Sequence, residues 1–550
     1  MLHPAYEAEI EANTEAAMND SPGRQPLRLP LRPLLLLAGL VACLRYLFAE
    51  IARLHGGLGF PLDDSWIHLQ FARNLAAGAG LSYNPGALVT GSTAPLWTAL
   101  LAVLFPLPGS VIVWTKLLGA ALYLAGIDAT WRLARELDLG EGLAALAAGL
   151  TLSTSWLVWS ALSGMEIPLF VLLWLWGMIL HLRERADPVR PPLSFAVLAV
   201  AILARPEGVL LLLLAALDRV LAFAGDTEGS LRWRRPDVQT LGAGAALAAC
   251  AVAGSFLFYG WAGGSVLPTT YAAKGGGEVR QLLPDLHYLA NVLGLFFRPQ
   301  PWATLLAAGG AVALAGRLGT PRDRGLLPAL WLFGMPLAYS LLTPGPNQML
   351  GNFGRYYFPL FPVLAILAAL ALEPAVSSLG PRLSPAFRAI LGTAGAVVVL
   401  APTVVILVQG EAFYTQNVAN VQESDVAIAR WLAGRVPPEA VLAVNDIGAI
   451  KFLLPNRIVD LASIATPEIG REVQRAVAAG TPWSAAMAAA LERRHPDYVV
   501  IFPSWFPGLA ADPRFQAVYT LPIPGNITMG GNEIVVYTTP WTRYPLRPGE

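Results

Sequence analysis

Two adjacent carboxylates, Asp63 and Asp64, stand in the run Pro61-Leu62-Asp63-Asp64-Ser65-Trp66-Ile67-His68. Neighbouring carboxylates resist joint ionisation unless a cation or hydrogen-bond donor is close. One of such a pair can act as a general base while the other orients a partner or holds a metal. The bland alternative is that either caps a helix over Trp66–Leu75. The stretch continues through Asn84-Pro85-Gly86 and Gly91-Ser92-Thr93.

Four further polar clusters interrupt an otherwise apolar chain. Ser163-Gly164-Met165-Glu166 places Glu166 at a helix N-terminus, where the helix dipole alone would favour it. Ala204-Arg205-Pro206-Glu207-Gly208 sets an Arg and a Glu between two short apolar halves, either as a local pair or as a functional site. Leu267–Lys274, containing Tyr271, precedes Gly275-Gly276-Gly277 and suits an anion-binding loop, although the Walker order is missing. Gly354-Arg355-Tyr356-Tyr357 could clamp a phosphate; the other reading is Arg355 snorkelling to lipid headgroups within an aromatic belt. His68 reads more readily as loop packing than as a ligand. Arg45, inside the first apolar run, pairs with Glu50 or reaches towards Asp63 and Asp64.

The elements that must hold these groups are membrane helices. Hydrophobic residues are 55% of the 550 and charged residues only 13%, against about a quarter charged in soluble proteins. That argues against an ordinary soluble enzyme and for a polytopic membrane protein, and it excludes a disordered chain. With 37 basic and 37 acidic residues there is no global basic field, so no nucleic-acid partner is expected. Two cysteines, Cys43 and Cys250, exclude a disulfide framework and a Cys-based zinc site.

Residues 1–32 read as a disordered cytoplasmic tail rather than a signal peptide, since no small-residue cleavage site follows the late apolar run. Apolar runs at about 33–51, 111–131, 141–161, 166–182, 192–204, 207–222, 238–261, 301–316, 325–343, 356–372 and 389–409 predict eleven spans, two of them short for a straight crossing. Arginine placement puts the N-terminus inside, makes Pro95–Phe105 a juxtamembrane or re-entrant helix rather than a full span, and leaves 53–110 as the first outer loop. Residues 33–409 then form a transmembrane catalytic domain, and 410–550 an outer soluble α/β domain with strands at Val441–Val444, Arg457–Leu461, Tyr498–Phe502 and Ile534–Thr538. All five polar clusters fall at one membrane face. Carboxylates with cations there suit a transfer reaction with an anionic leaving group. With no nucleotide-binding loop in view, the donor should be lipid-borne.

These residues resemble the C-type glycosyltransferase superfamily, polytopic enzymes that use polyprenyl-phosphate sugars. The likeness is strongest to the bacterial branch containing the mycobacterial terminal arabinofuranosyltransferase. It rests on the first-loop motif, Gly164-Met165-Glu166, Arg205–Gly208, Pro268–Lys274 and Arg355-Tyr356-Tyr357, with Asp446-Ile447-Gly448-Ala449 and Val459-Asp460-Leu461 in the soluble domain. The family's glutamate motif continues with Thr and a small residue, where this chain has Ile167-Pro168. The resemblance implies inverting sugar transfer on the outer face of the bacterial cytoplasmic membrane. The donor would be a polyprenyl-phosphate sugar and the acceptor a glycan, lipid or protein, in cell-envelope assembly. Asp63 or Asp64 would be the base, with Glu166 also catalytic. Arg205, Lys274, Arg355 and Tyr356 are the expected donor-phosphate contacts, and His68, Glu207 and Tyr271 line the site. A divalent cation, Mg2+ or Mn2+, is the candidate cofactor, with Asp64 its candidate ligand. The competing classes are a lipid-linked sugar flippase, which would show inverted repeats, and a non-enzymatic scaffold.

Overall fold

A computed structural model describes residues 30–187, 190–224, 235–263, 283–342 and 350–546. Each expected apolar run is helical over its described part. Among the described residues, five helices are long and apolar enough to cross a membrane: Leu31–Arg53, Val111–Glu136, Ile167–Ala186, and those within Gly351–Arg382 and Pro385–Ala433. The run at 141–161 is instead two helices, Glu141–Leu152 and Ser155–Leu162, bent by 57°. Other apolar helices are shorter, including Leu193–Ala204, Pro301–Ala315 and an unexpected one at Leu286–Phe297. Eleven full crossings are therefore not established. Pro95–Leu104 is a short helix opened by its proline, as expected of a segment too brief to span.

A buried ion pair ties the first helix to the bundle. Glu50 is fully buried, and one of its oxygens takes Lys116 Nζ at 3.0 Å and the Tyr414 hydroxyl at 2.6 Å. Its other oxygen accepts the Gly59 amide at 2.8 Å. Lys116 also donates to the Leu162 carbonyl at 2.9 Å. Every strong donor and acceptor of the pair is thus used, which is the condition for tolerating charge in an apolar core. Arg45 joins neither Glu50 nor the first loop; it pairs with Glu411. Replacing Lys116 by Met should cost about 3–5 kcal/mol by stranding Glu50. Thermal denaturation in detergent reads this, and an unchanged midpoint would refute the role of the pair.

The last long helix, Pro385–Val421, leads through a π-helical turn at Gln422–Val426 into Ala427–Ala433 and the soluble domain. The domain's sheet has strands β1 Val441–Val444, β2 Arg457–Asp460, β3 Tyr498–Ile501, β4 Gln516–Pro522 and β5 Glu533–Thr538. Their order is β2-β1-β3-β5-β4. β2, β1 and β3 run parallel, and β5 and β4 add antiparallel at one side. Strand β4 is largely exposed, so it carried no buried-strand pattern to read in the sequence.

The period of two divides the sheet's side chains between two cores. Ala443, Val459, Val499 and Val535 pack under helices Pro467–Ala478 and Trp483–Glu492. Leu442, Val444, Ile458, Val500 and Val536 pack instead with Ile67, Phe71, Tyr83 and Val89 of the first loop. Helix Asp63–Ala76 also turns Trp66, Leu69 and Ala72 into the membrane core. It is therefore wedged between bundle and domain, buried on two faces.

Candidate active site

The first loop is fastened to the domain by the motif that marked it in the sequence. Asn84 exchanges hydrogen bonds with the Ile458 backbone, at 2.9 and 3.0 Å, extending the edge of β2. The Tyr83 hydroxyl donates to the Ile447 carbonyl at 2.7 Å. Gly91 lies so close to Ile464 that a Cβ would press on its carbonyl oxygen. On the membrane side, Ser65 Oγ donates to Ser163 O at 2.6 Å and Trp97 Nε1 to Gly164 O at 2.9 Å. Gly164 itself takes a left-handed φ of +77° against the ring of Phe60, a position only glycine fills without strain.

Asp63 and Asp64 do different work. Asp63 does not cap its own helix, whose N-terminus has no side-chain cap. Its two oxygens accept the backbone amides of Gly448 and Ala449 at 2.6 and 2.7 Å, which pins the first loop to the segment after β1. Burial pushes its pKa up to about 7, with the two amides pulling the other way and Asp64 and Asp460 adding to the rise. Asp64 is 35% exposed and ion-paired with Arg355.

Asp63 sets a pH dependence. Its folded pKa lies above the ordinary value of 3.8, so the folded state binds its proton more tightly than the unfolded chain does. That contribution to docking is complete below about pH 4 and is lost as pH rises through 7. Asp64, Asp446 and Asp460 share the field, so the comparison must be with Asp63→Asn. Hydrogen exchange in Gly448–Leu453 should quicken between pH 6 and 8 beyond its intrinsic pH effect in the parent protein but not in D63N. Equal profiles would refute the assignment.

Arg355 follows three consecutive left-handed residues, Asn352, Phe353 and Gly354 (φ 48°, 65° and 72°). Such backbone in non-glycine residues costs energy and gathers where a side chain must be aimed. The Arg355 guanidinium is buried, and its Nη1 has no hydrogen-bond partner among the described residues. The ring of Tyr356 lies beside two guanidinium groups, 5.2 Å from Arg205 and 5.6 Å from Arg355.

Behind this pair runs a buried polar chain. Arg205 donates to Glu166 at 2.7 Å and to Glu207 at 2.7 Å. Glu207 accepts the Tyr339 hydroxyl at 2.6 Å. Glu166 faces His68 Nε2 at 3.5 Å, and His68 Nδ1 meets Ser92 Oγ at 3.3 Å, which meets Thr98 at 2.8 Å. The local Arg205–Glu207 pair exists, but as part of a wider network that also takes Glu166 and His68. Asp64, Glu166, Arg205, Glu207, His68, Arg355 and Tyr356 are thus brought together, whereas Asp63 points into the domain. Lys274 and Tyr271 lie outside the described residues.

The domain contributes carboxylates of its own. β1, β2 and β3 end at one edge, and Asp446 and Asp460 stand there beside Asp63. Burial, then Asp63 and Asp64, raise Asp446 well above the carboxylate range. Asp460 accepts the amides of Ala462, Ile464 and Ala465, and burial raises it to about 6. Asp425 in the π-helical turn is buried with both oxygens unpartnered among the described residues. Tyr339 and Asp425 carried no spacing signal in the sequence. Among the described residues no group of three or more His, Cys, Asp or Glu is arranged to hold a metal. Asp64, the expected metal ligand, is engaged by Arg355.

The comparison with solved structures speaks to the fold. A family model described as a domain of unknown function, DUF8728, matches residues 413–538. No curated protein matches the sequence significantly. ArnT from Cupriavidus metallidurans, solved bound to undecaprenyl phosphate, superposes with a TM-score of 0.57 at 17% identity, covering 91% of this chain and 97% of that one. The Archaeoglobus fulgidus oligosaccharyltransferase, tethered with an acceptor peptide containing the NVT sequon, gives 0.52 at 13% identity over 93% of this chain and 77% of that one. The same enzyme in complex with Zn and sulfate gives 0.50 at 13% identity, over 90% and 73%. The chain is a polytopic helical membrane protein with a C-terminal α/β domain, and its fold is the one seen in ArnT and in the archaeal oligosaccharyltransferase.

Proposed function

We propose that the protein is an inverting glycosyltransferase that moves a sugar from a polyprenyl-phosphate carrier to an acceptor hydroxyl. The observation that carries this reading is the pairing of half-exposed Asp64 with buried Arg355, whose Nη1 has no hydrogen-bond partner among the described residues. A base and a cation held in contact suit a displacement in which a proton and a phosphate depart in opposite senses. In the reaction, the acceptor oxygen bonds to the sugar's anomeric carbon as the bond from that carbon to the phosphate oxygen breaks. The acceptor proton passes to the Asp64 carboxylate, and the electron pair of the broken bond stays on the lipid phosphate. Arg355 Nη1 and the Tyr356 hydroxyl receive that phosphate, with Lys274 a further contact. Arg205, engaged by Glu166 and Glu207, acts through the ring of Tyr356 rather than as a free cation. Glu166 and His68 hold Arg205 in place and close off the first loop behind it.

The site would face the outer side of a bacterial cytoplasmic membrane, where lipid-borne donors suit it and a cell-envelope glycan, lipid or protein would be the acceptor. An arabinofuranosyl donor is the first to try, because the first-loop motifs resemble that branch. No observation favours the flippase reading. The test is release of polyprenyl phosphate from a radiolabelled polyprenyl-phosphate sugar in proteoliposomes. Acceptor-dependent release that is lost in Arg355→Met supports the proposal, and transbilayer movement of an intact donor would overturn it.

A further inference from the structure

Sugar acceptors are gripped by flat aromatic faces, because the C–H face of a pyranose or furanose ring packs on an indole while its hydroxyls remain free for hydrogen bonds. Most tryptophans here are consumed in cores. Two on the soluble domain are not: Trp505 is 53% exposed and Trp483 is 43% exposed.

Trp505 packs on Phe502 of the first-loop core, whereas Trp483 packs on Phe506 of the core under the domain's helices. The parallel strands β1, β2 and β3 end at the same edge, and in open α/β sheets ligands lie outside that edge. Asp446 follows β1 there, Asp460 closes β2, and Asp63 is pinned between them by the Gly448 and Ala449 amides. Trp505 sits in the loop that follows β3. Asn445 joins the two loops, since its side-chain oxygen accepts the Phe502 amide at 3.1 Å.

Trp505 is exposed yet held. Phe502 meets it edge-on at 5.7 Å. Gly530 lies so close to the indole that any Cβ would overlap the ring. Ser504 Oγ donates to Gly530 O at 3.1 Å and locks the two loops together. The indole N–H has no hydrogen-bond partner among the described residues. A ring fixed in place with an open face loses little side-chain entropy on binding, which is what makes an aromatic side chain an efficient contact. Polar neighbours at the loop tips, Ser504 and Asn532, would answer ring hydroxyls.

We infer that Trp505 forms the acceptor-binding platform, and that the acceptor is a saccharide chain laid along the edge of the domain with one hydroxyl reaching Asp64. This rests on the transferase reading and names its acceptor class. It also gives the soluble domain a task, since the same edge holds the first-loop carboxylates and receives the sugar that they act on.

The test uses full-length protein in nanodiscs and a panel of defined oligosaccharides (arabinan, galactan and mannan fragments), with binding followed by saturation-transfer NMR. At least one fragment should bind. W505A should weaken it at least tenfold, W505F should restore part of the loss, and W483A should leave it unchanged. Binding of undecaprenyl phosphate should be unchanged in all three. No fragment binding, or binding indifferent to W505A, overturns the platform while leaving the transferase reading intact if the lipid phosphate still binds through Arg355. Saccharide binding lost in W505A in a protein that never binds lipid phosphate would instead sink the transferase reading and keep the platform. Brominated lipids quenching a fraction of the parent protein's emission that is missing in W505F would place Trp505 in the bilayer and overturn the inference.

Discussion

Asp64→Asn should lower turnover by about 10²–10⁴-fold, the usual contribution of a positioned general base, while leaving donor binding close to that of the parent protein. The substitution keeps the side chain's shape and one acceptor oxygen for the Arg355 guanidinium, so the fold has no reason to change. What is lost is the ability to take a proton from the acceptor. Asp63→Asn should behave differently, because Asp63 faces the Gly448 and Ala449 amides and not Arg355. Its effect should appear in domain docking and only secondarily in rate. Measuring single-turnover rates together with donor affinity separates the two. Turnover in D64N within tenfold of the parent would remove Asp64 from the chemistry, and a deeper loss in D63N than in D64N would reverse the two roles.

This division between adjacent aspartates marks the limit of what the sequence discloses. Composition and apolar runs announce the membrane bundle, because burial in lipid demands long apolar helices whatever they pack against. Strands β1, β2, β3 and β5 announce themselves by being buried on both faces. β4 does not, because it is exposed, and Leu286–Phe297 is too short to stand out as a span. The first-loop carboxylates are visible as a motif, but their partners are hundreds of residues distant: Arg355 for one, Gly448 for the other. Only the folded chain decides which carboxylate meets a cation and which meets two amides. Lys116 offered a clue, being one of three lysines and set within an apolar span, where a buried charge implies a partner. Tyr339 offered none, since a tyrosine in an apolar helix looks the same whether or not it donates to a buried glutamate.

The strongest structural prediction concerns Arg205. It is buried between Glu166 and Glu207, and removing it leaves two carboxylates in a low-dielectric interior with one cation fewer than they need. Breaking one buried pair this way costs about 3–5 kcal/mol, so Arg205→Met should bring the protein close to the limit of a marginally stable fold. His68 at 3.5 Å from Glu166 and the Tyr339 hydroxyl on Glu207 soften the loss without replacing the charge. The informative variant is therefore the triple R205M/E166Q/E207Q, in which no buried charge is left uncompensated. If Arg205 acts mainly by neutralising its neighbours, the triple variant should recover most of the thermal stability that R205M loses. If it also holds Tyr356 in position for the donor phosphate, the recovered protein should still bind donor at least tenfold more weakly than the parent. Stability restored together with full donor affinity would reduce the network to packing. Stability not restored would mean that the ring stacking and hydrogen bonds of Arg205, rather than its charge balance, hold the first loop on the bundle.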